Sequence, residues 1–349
     1  GAALTGYTLY ERVTYEMADV GSSGGVPDDV LQTMLSEDTD TVVVDTVAYD
    51  GSSSTAVSTR LSGLIGGVSY DYVVAARSDA GEGERSAVLS VSTSPPAPGS
   101  LDSVSQTTSS ITLSWSAPVV TTGSAVTGYN VYIDDGSSGT PGSVPVSCGG
   151  GDALSTTCTA SGLTGGVSYS FEVSALSTTG ESDRSSVSAM STAPAAVAGS
   201  MAFSSVTTTS MDLAWTAPSG ATPTGYIVYR DDGDSATPSI VVFEGDALTA
   251  TASGLTGGTS YSYMVAALSA AGVGDVSGVS AQSTSPAAPL GLSSVTQTST
   301  SITLSWSASV VGSGGSAVTS YKVYRNDGSS ASAALSSTAA HTTADGSTT

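Results

Sequence analysis

The residues of this sequence that could carry out chemistry are mainly carboxylates. The 349 residues include 30 Asp and Glu but only 8 Lys and Arg, one histidine and two cysteines. The single histidine, His341, cannot supply a Ser-His-Asp or Cys-His arrangement to the rest of the chain. A glycosidase-like pair of carboxylates stays open, because acids are numerous and the sequence singles out no pair. We therefore expect that this segment is not an enzyme.

Two clusters of acids could bind a cation. They are Glu37, Asp38 and Asp40 in one place, and Asp231, Asp232 and Asp234 in the other. Calcium takes about six to eight oxygen ligands, and a short acidic turn supplies only some of them. Asp-Gly is also ordinary in hairpin turns. The second cluster is therefore predicted to be a turn, and Ca²⁺ is the one cofactor left open.

The two cysteines, Cys148 and Cys158, lie close together in the sequence. Such a pair in a Ser/Thr-rich β protein predicts a local disulfide, formed in an oxidising compartment. Closing so short a loop would stabilise the fold by about 3 kcal/mol at most. Two reduced, buried thiols are the alternative. Neither reading makes a zinc site, because no histidine lies near the pair.

The charge balance limits the partners of the chain. A formal net charge of −22 argues against nucleic acid, whose phosphates need clustered Lys and Arg. There is no run of 18 apolar residues, so we expect no membrane insertion. Neither asparagine begins an N-glycosylation sequon, whereas O-linked glycans fit the Ser and Thr next to proline at 93–96 and 283–286. Plain linker chemistry fits these two stretches equally well.

Internal repetition shows which elements must position these residues. Three similar segments each end in a tryptophan, namely 110–115 with Trp115, 210–215 with Trp215 and 301–306 with Trp306. In the first of them Ile111, Leu113 and Trp115 alternate with Thr112 and Ser114. A period of two places the apolar side chains on one face of a β-strand. Each segment is therefore predicted to be a strand whose tryptophan points into a core.

Two further motifs recur along the chain in a fixed order. A Tyr-x-Val-Tyr segment begins at Tyr129, Tyr226 and Tyr321, and a similar segment begins at Tyr7. A Leu-x-Gly-Gly segment that ends in a tyrosine comes later, with Tyr70, Tyr169 and Tyr261 as its last residues. Proline-rich stretches at 95–98, 193–194 and 286–289 separate the copies.

These motifs, in this order, resemble the fibronectin type III domain over nearly the whole chain. The resemblance implies an all-β fold of tandem immunoglobulin-like β-sandwiches, with strands A, B and E facing strands C′, C, F and G. It also implies a structural core built on Trp115, Trp215, Trp306, Tyr70, Tyr169 and Tyr261, with the tyrosine hydroxyls bonded to nearby backbone. The corner before each of these tyrosines carries Gly-Gly where the family often has Pro-Gly. We expect this change to loosen the turn and to leave the fold intact.

The repeat motifs predict four domains, of which the outer two are partial. They are a partial repeat at 1–94 that starts at strand C and has an insertion at about 15–45, whole repeats at 95–193 and 194–285, and a partial repeat at 286–349 with strands A to C. A window cut from a longer array explains the partial ends, and so does completion of each half by a neighbouring chain. The window is favoured, because a swap would duplicate strand C.

The insertion is predicted to contain a short amphipathic helix. Pro27 stands near the start of 26–35, acids follow it, and apolar residues are spaced along one face. This helix would cap its own sandwich or dock a neighbouring repeat or chain.

These observations favour an extracellular or cell-surface structural protein that builds or decorates a filament, wall or matrix. Its expected partners are further copies of itself or other filament or matrix subunits. Two alternatives are an adhesive array that binds a glycan or a protein, and spacer repeats in a larger secreted enzyme. The family resemblance does not choose among them, because one fold serves many functions.

Overall fold

The computed structural model describes residues 2–16, 41–51, 56–137, 139–146, 153–220, 222–233, 237–326 and 341–343. Within these ranges every regular element is a β-strand, which confirms the predicted all-β class. A search of the same residues for an apolar helix long enough to cross a membrane finds none. The helix predicted at 26–35 lies outside the described residues.

The chain divides into two compact units. The first comprises Gly1–Val104, Thr112–Ala160 and Tyr169–Met190, and the second comprises Ser105–Ile111, Ser161–Ser168 and Ser191–Thr349. Each unit is taken by itself below.

The first unit opens with one antiparallel sheet of five strands. They are β1 (Leu4–Glu16), β2 (Thr41–Gly51), β3 (Ser69–Ser78), β4 (Gly81–Arg85) and β5 (Leu89–Ser92). The order is β2-β1-β3-β4, with β5 also paired to β3. Val74 on β3 is 40% exposed, so this face of the sheet is only partly covered in the described residues.

Seven further strands form the second repeat. They are β6 (Gly99–Gln106), β7 (Ser110–Ser116), β8 (Val126–Ile133), β9 (Thr157–Ser161), β10 (Ser168–Ser177), β11 (Gly180–Glu181) and β12 (Ser188–Ser191). One sheet has the order β6-β7-β9, and the other has β11-β10-β12 with β8 on β10. Val131 on β8 is opposite Val173 on β10, and both are buried. The two sheets are those expected of strands A, B, E and of strands C, F, G.

The second unit repeats this arrangement over eight strands. They are β13 (Ala202–Ser204), β14 (Ser210–Ala214), β15 (Gly225–Arg230), β16 (Ile240–Gly245), β17 (Thr249–Ser253), β18 (Ser260–Ser269), β19 (Gly272–Val273) and β20 (Ser280–Ser283). The sheets have the orders β13-β14-β17 and β16-β15-β18-β19, with β20 on β18. Met211, Leu213 and Trp215 from one sheet pack in one cluster with Val228 and Tyr263 from the other. Period-two alternation therefore builds the core between the sheets, as predicted for a sandwich.

The chain closes with four strands that form two small sheets. They are β21 (Leu290–Gln297), β22 (Ile302–Ser307), β23 (Lys322–Val323) and β24 (His341–Thr342). β21 pairs with β22, and β23 pairs with β24. His341 lies opposite Val323 in this short strand pair.

The Gly-Gly corner is held by main-chain and threonine hydrogen bonds. Gly67 has a φ of 73°, a left-handed conformation that glycine adopts without strain, and its N–H donates to the carbonyl of Ser94 at 2.8 Å. The hydroxyl of Thr93 accepts the N–H of Val68 at 3.1 Å and donates to the carbonyl of Ile65 at 2.7 Å. The same three bonds recur around Thr192 and around Thr284. The expected loosening of this turn relative to Pro-Gly stays a prediction.

Candidate functional site

A tyrosine, a glutamate and an arginine form the main polar cluster of the first repeat. The hydroxyl of Tyr10 on β1 donates to the Glu82 carboxylate at 2.7 and 2.8 Å. The guanidinium carbon of Arg85 lies 4.2 Å from the centre of the Tyr10 ring. Asp45 on β2 accepts from Arg85 and, at 2.7 Å, from Arg12. These contacts tie strand β4 to strands β1 and β2.

The electrostatics of this cluster follow from those contacts. The hydrogen bond to Glu82 raises the pKa of Tyr10, because the neighbouring negative charge disfavours tyrosinate. The hydrogen bond from Arg12 holds the pKa of the Asp45 carboxyl below its usual range. The Asp45 carboxylate therefore stays charged and paired with Arg12 at neutral pH.

The second repeat has the same cluster at equivalent positions. The Glu181 carboxylate accepts from the hydroxyls of Tyr132 and Ser174 and, at 3.2 Å, from the Asn130 amide. Arg184 lies over the Tyr132 ring, with 3.4 Å from its guanidinium carbon to the ring centre. The hydrogen bonds from Ser174 and Tyr132 lower the pKa of Glu181. The Oε1 atom of Glu181 therefore accepts from three side chains of its own repeat, which gives this carboxylate a structural role.

The cluster was missed in the sequence, although a signal is present. Gly-Glu-x-x-Arg occurs at 81–85 and at 180–184, each time in the turn after strand F. The third repeat has Val273 and Val276 at the corresponding positions, and its nearest comparable contact is Arg230, 5.1 Å from the centre of the Tyr261 ring. The signal is weak because the tyrosine lies far from the glutamate in the sequence, 72 residues earlier for Tyr10 and Glu82 and 49 earlier for Tyr132 and Glu181.

Asp231, a predicted calcium candidate, has its carboxylate engaged with main-chain N–H groups. The residue is 2% exposed, and its carboxylate accepts from Gly233 at 3.2 Å and from Ser262 at 3.0 Å. Asp134 in the second repeat does the same with Gly139 and Ser170. N–H donors aimed at a carboxylate occupy the lone pairs that a cation would need. The geometry favours the turn over the calcium site at this position.

The structure describes one of the remaining calcium candidates, Asp232. Asp232 is exposed, whereas Asp234, Glu37, Asp38 and Asp40 lie outside the described residues. Within the described ranges, no group of three or more His, Cys, Asp and Glu side chains could hold a metal ion. Calcium at these residues therefore stays a prediction.

One of the two cysteines is described by the structure. Cys158 on β9 is 4% exposed and is disulfide-bonded. Cys148 lies outside the described residues, so its pairing with Cys158 stays a prediction.

Four of the six predicted core residues are buried, and Trp306 and Tyr70 are half-buried. Trp115 and Trp215 are buried, whereas Trp306 is half-buried. Each tryptophan meets the first tyrosine of the next motif edge to face, with 5.3 to 5.8 Å between ring centres. The Tyr70 hydroxyl accepts the N–H of Ile65 at 2.8 Å, and Tyr169 is buried. Trp115, Trp215 and Tyr169 are therefore packed inside their own repeats.

Sequence comparisons agree with this architecture. A family model described as the fibronectin type III domain matches residues 96–191 and 194–283, together more than half of the chain. Exoglucanase B of Cellulomonas fimi is 33% identical over 254 residues, which cover 67% of this chain and 21% of that protein. Endoglucanase B of the same organism is 33% identical over 254 residues and 23% of its length. Chitinase A1 of Niallia circulans is 34% identical over 190 residues, 52% of this chain and 24% of that protein. The chain thus spans about a quarter of each relative or less.

Comparison with solved structures finds other multi-repeat proteins. A two-domain fibronectin type III segment from chicken tenascin is 21% identical, with a TM-score of 0.30 over 54% of this chain and 99% of that one. The FN1–FN3 domains of chicken CNTN1 are 17% identical, with a TM-score of 0.31 over 81% of this chain and 90% of that one.

Proposed function

Because the chain belongs to the fibronectin type III family, we propose that it is a non-catalytic spacer within a larger extracellular enzyme that acts on a polysaccharide. The observation that carries this proposal is the pattern of its relatives. Three proteins named as glucanases or a chitinase match it at about one third identity, each over a quarter of its length or less. A segment shared in this way is a module of those proteins and not the whole of any of them.

The chemistry of the described residues supports a non-catalytic role. The buried or clustered carboxylates, Asp45, Asp134, Glu181 and Asp231, accept hydrogen bonds from groups of their own repeat. A glycosidase needs one carboxyl group that stays protonated and a second that faces the sugar. Lowered pKa values at Asp45 and Glu181 are the opposite of what a general acid requires.

An extracellular location supports the same role. Glucans and chitin are polymers that an enzyme meets outside the cell. The disulfide at Cys158 is typical of an oxidising compartment. A net charge of −22 keeps such a spacer soluble next to a polymeric substrate.

The relatives favour this spacer role over the filament, wall or matrix role. The filament role, the adhesive role and self-association stay predictions. The first two have direct tests. Filaments would be visible by electron microscopy of the native material. Adhesion would be visible as retention of the chain on its ligand.

Two measurements test the spacer role. The reading frame on both sides of this segment is expected to encode a catalytic domain that acts on a polysaccharide. A frame that encodes repeats alone would contradict the proposal.

In the second measurement, the purified chain is mixed with microcrystalline cellulose and with chitin beads. It is expected to stay in the supernatant and to release no reducing sugar. Retention on either polymer would support the adhesive array, and sugar release would show that the segment is itself an enzyme.

A further inference from the structure

The carbonyl oxygen of Gly67 makes its hydrogen bonds outside its own repeat. It accepts the N–H of Gly123 at 3.0 Å and the N–H of Thr121 at 3.3 Å. Both donors lie in residues 117–125, the loop between β7 and β8, which we name the B–C loop of the second repeat. The N–H of Ser69 adds a bond to the Thr122 hydroxyl at 3.1 Å. All these residues belong to the first unit.

This contact leaves no room for a side chain on the loop. A Cβ at Gly123 would lie 2.5 Å from the carbonyl carbon of Gly67 and 2.8 Å from the nitrogen of Val68. Both of those atoms are backbone, so they cannot rotate away as a side chain does. Gly123 has no left-handed φ, and its requirement for glycine therefore comes from the neighbouring repeat and not from its own conformation.

The second unit contains the same contact between its third and fourth repeats. The carbonyl of Gly258 accepts the N–H of Gly312 at 2.9 Å, and the N–H of Ser260 bonds to the carbonyl of Ser313 at 3.4 Å. A Cβ at Gly312 would lie 2.5 Å from the Thr259 hydroxyl oxygen. Gly312 stands in the loop 308–321 between β22 and β23, which is the B–C loop of the fourth repeat.

A third case has the same pair of glycines. Gly166 and Gly220 both belong to the second unit, and a Cβ at Gly220 would lie 2.9 Å from the carbonyl oxygen of Gly166. Gly166 is the second glycine of its corner, and Gly220 follows Trp215 in the next B–C loop. The close approach therefore recurs wherever a corner precedes a B–C loop.

We infer that the second glycine of each Gly-Gly corner is a docking point whose partner is a glycine-bearing B–C loop of the following repeat. The corner glycine can point its carbonyl outward because its φ is left-handed, and the loop glycine lets two backbones meet. Main-chain bonds of this kind couple neighbouring repeats more tightly than a proline-rich linker alone. The inference concerns the repeats themselves and holds whether or not the chain is a spacer of an enzyme.

Amide exchange measured by NMR on the isotope-labelled full chain tests this coupling. The test variant is Gly123→Ala, and the matched control is Gly99→Ala. Gly99 also lacks a left-handed φ, but a Cβ there would meet no atom within 4 Å. In the parent chain the amides of Thr121 and Ser69 are expected to be protected. In Gly123→Ala they should exchange about tenfold faster, with strand β7 unchanged, and in Gly99→Ala they should exchange at the parent rate.

The inference is overturned if these two amides are unprotected in the parent, or if both variants exchange alike. Should Gly123→Ala unfold the second repeat, protection of β7 would be lost as well. In that case the inference is tested with Gly312→Ala, by the exchange rate of the Ser260 amide. Its control is Gly278→Ala, because a Cβ at Gly278 also meets no atom within 4 Å.

Discussion

Two tyrosines on β18 show how one residue type fills two roles in this chain. The Tyr261 hydroxyl accepts the N–H of Thr256 at 2.9 Å. Tyr263 is fully buried, and among the described residues its hydroxyl has no hydrogen-bond partner. A buried hydroxyl without a partner costs free energy, whereas a bonded one contributes to stability.

This contrast predicts opposite effects for one chemical change. Tyr263→Phe is expected to leave the free energy of unfolding unchanged or to raise it by about 1 kcal/mol, because it removes an unpaired polar group. Tyr261→Phe is expected to lower it by about 1 kcal/mol, because the Thr256 N–H loses its acceptor. Urea unfolding of both variants measures the difference. A Tyr263→Phe chain less stable than Tyr261→Phe would show that the Tyr263 hydroxyl has a partner.

The burial of Tyr263 also predicts how stability depends on alkaline pH. Burial raises the pKa of Tyr263 to about 12, whereas a tyrosine in the unfolded chain ionises near pH 10. The unfolded state therefore loses this proton first, and stability falls as the pH rises from about 10 to about 12. Unfolding midpoints at pH 9 and pH 11 should fall less in Tyr263→Phe than in the parent. Equal falls in both chains would contradict the assignment.

The hydrogen bonds from main-chain N–H groups to Asp231 lead to a prediction about stability. Asp231→Ala is expected to lower stability by about 1 to 3 kcal/mol, because the partly buried N–H of Ser262 loses its acceptor. The matched control is Asp246→Ala at an exposed position, with a change below about 0.5 kcal/mol. Thermal unfolding compares the two variants. Similar stability in both would mean that water replaces the carboxylate.

Much of this residue-scale detail could not be read from the sequence. Asp231 stands out by composition, but its partner Ser262 lies 31 residues further along the chain. The Glu181 cluster likewise joins residues that meet only after β8 and β10 have paired. Contacts between strands depend on register, and register is set by the whole sheet. The sequence therefore predicted which residues are core and missed which polar residues are paired.

At the scale of the elements, alternation was a sufficient signal for the strands. Strands β7 and β14 carry buried residues at every second position, as 110–116 and 210–214 predict. The last stretch of each repeat was harder to predict. Strand G is held to strand F in part by serine side chains, such as Ser185, whose hydroxyl accepts the N–H of Val173 at 3.0 Å. Serine is common in turns, so a serine-rich stretch predicts a loop and does not reveal a contact between strands.

The tryptophans give the prediction that belongs to this scale. Trp215→Ala is expected to cost about 3 to 5 kcal/mol, because it leaves a cavity against Tyr226 and Phe243. Single domains are stable by only about 5 to 15 kcal/mol, so the third repeat becomes marginal. Trp306→Ala should cost less, because that ring is half-buried. Calorimetry of the full chain would show the third repeat melting early. Unchanged melting in Trp215→Ala would show that the ring is not part of a core.

At the scale of the whole molecule, charge and repetition act together. Eight basic residues cannot neutralise 30 acidic ones, so repulsion among carboxylates opposes the folded state at neutral pH. The excess of acidic residues is visible in the composition, and no feature of the fold was needed to find it. The coupling of repeats through paired glycines required the structure, because each glycine belongs to a different repeat.

The net charge leads to a prediction about salt. Raising NaCl from about 10 to 150 mM shortens the Debye length from about 30 to 8 Å and screens the repulsion. The melting temperature of the full chain is therefore expected to rise, and a fall would mean that attractive ion pairs outweigh repulsion.

A comparison of CaCl₂ with MgCl₂ at the same ionic strength separates the screening of charge from the specific binding of calcium. Equal shifts with both are expected, because Asp231 already accepts N–H donors. A larger shift with calcium alone would show a specific site among the acidic clusters and would overturn the turn reading.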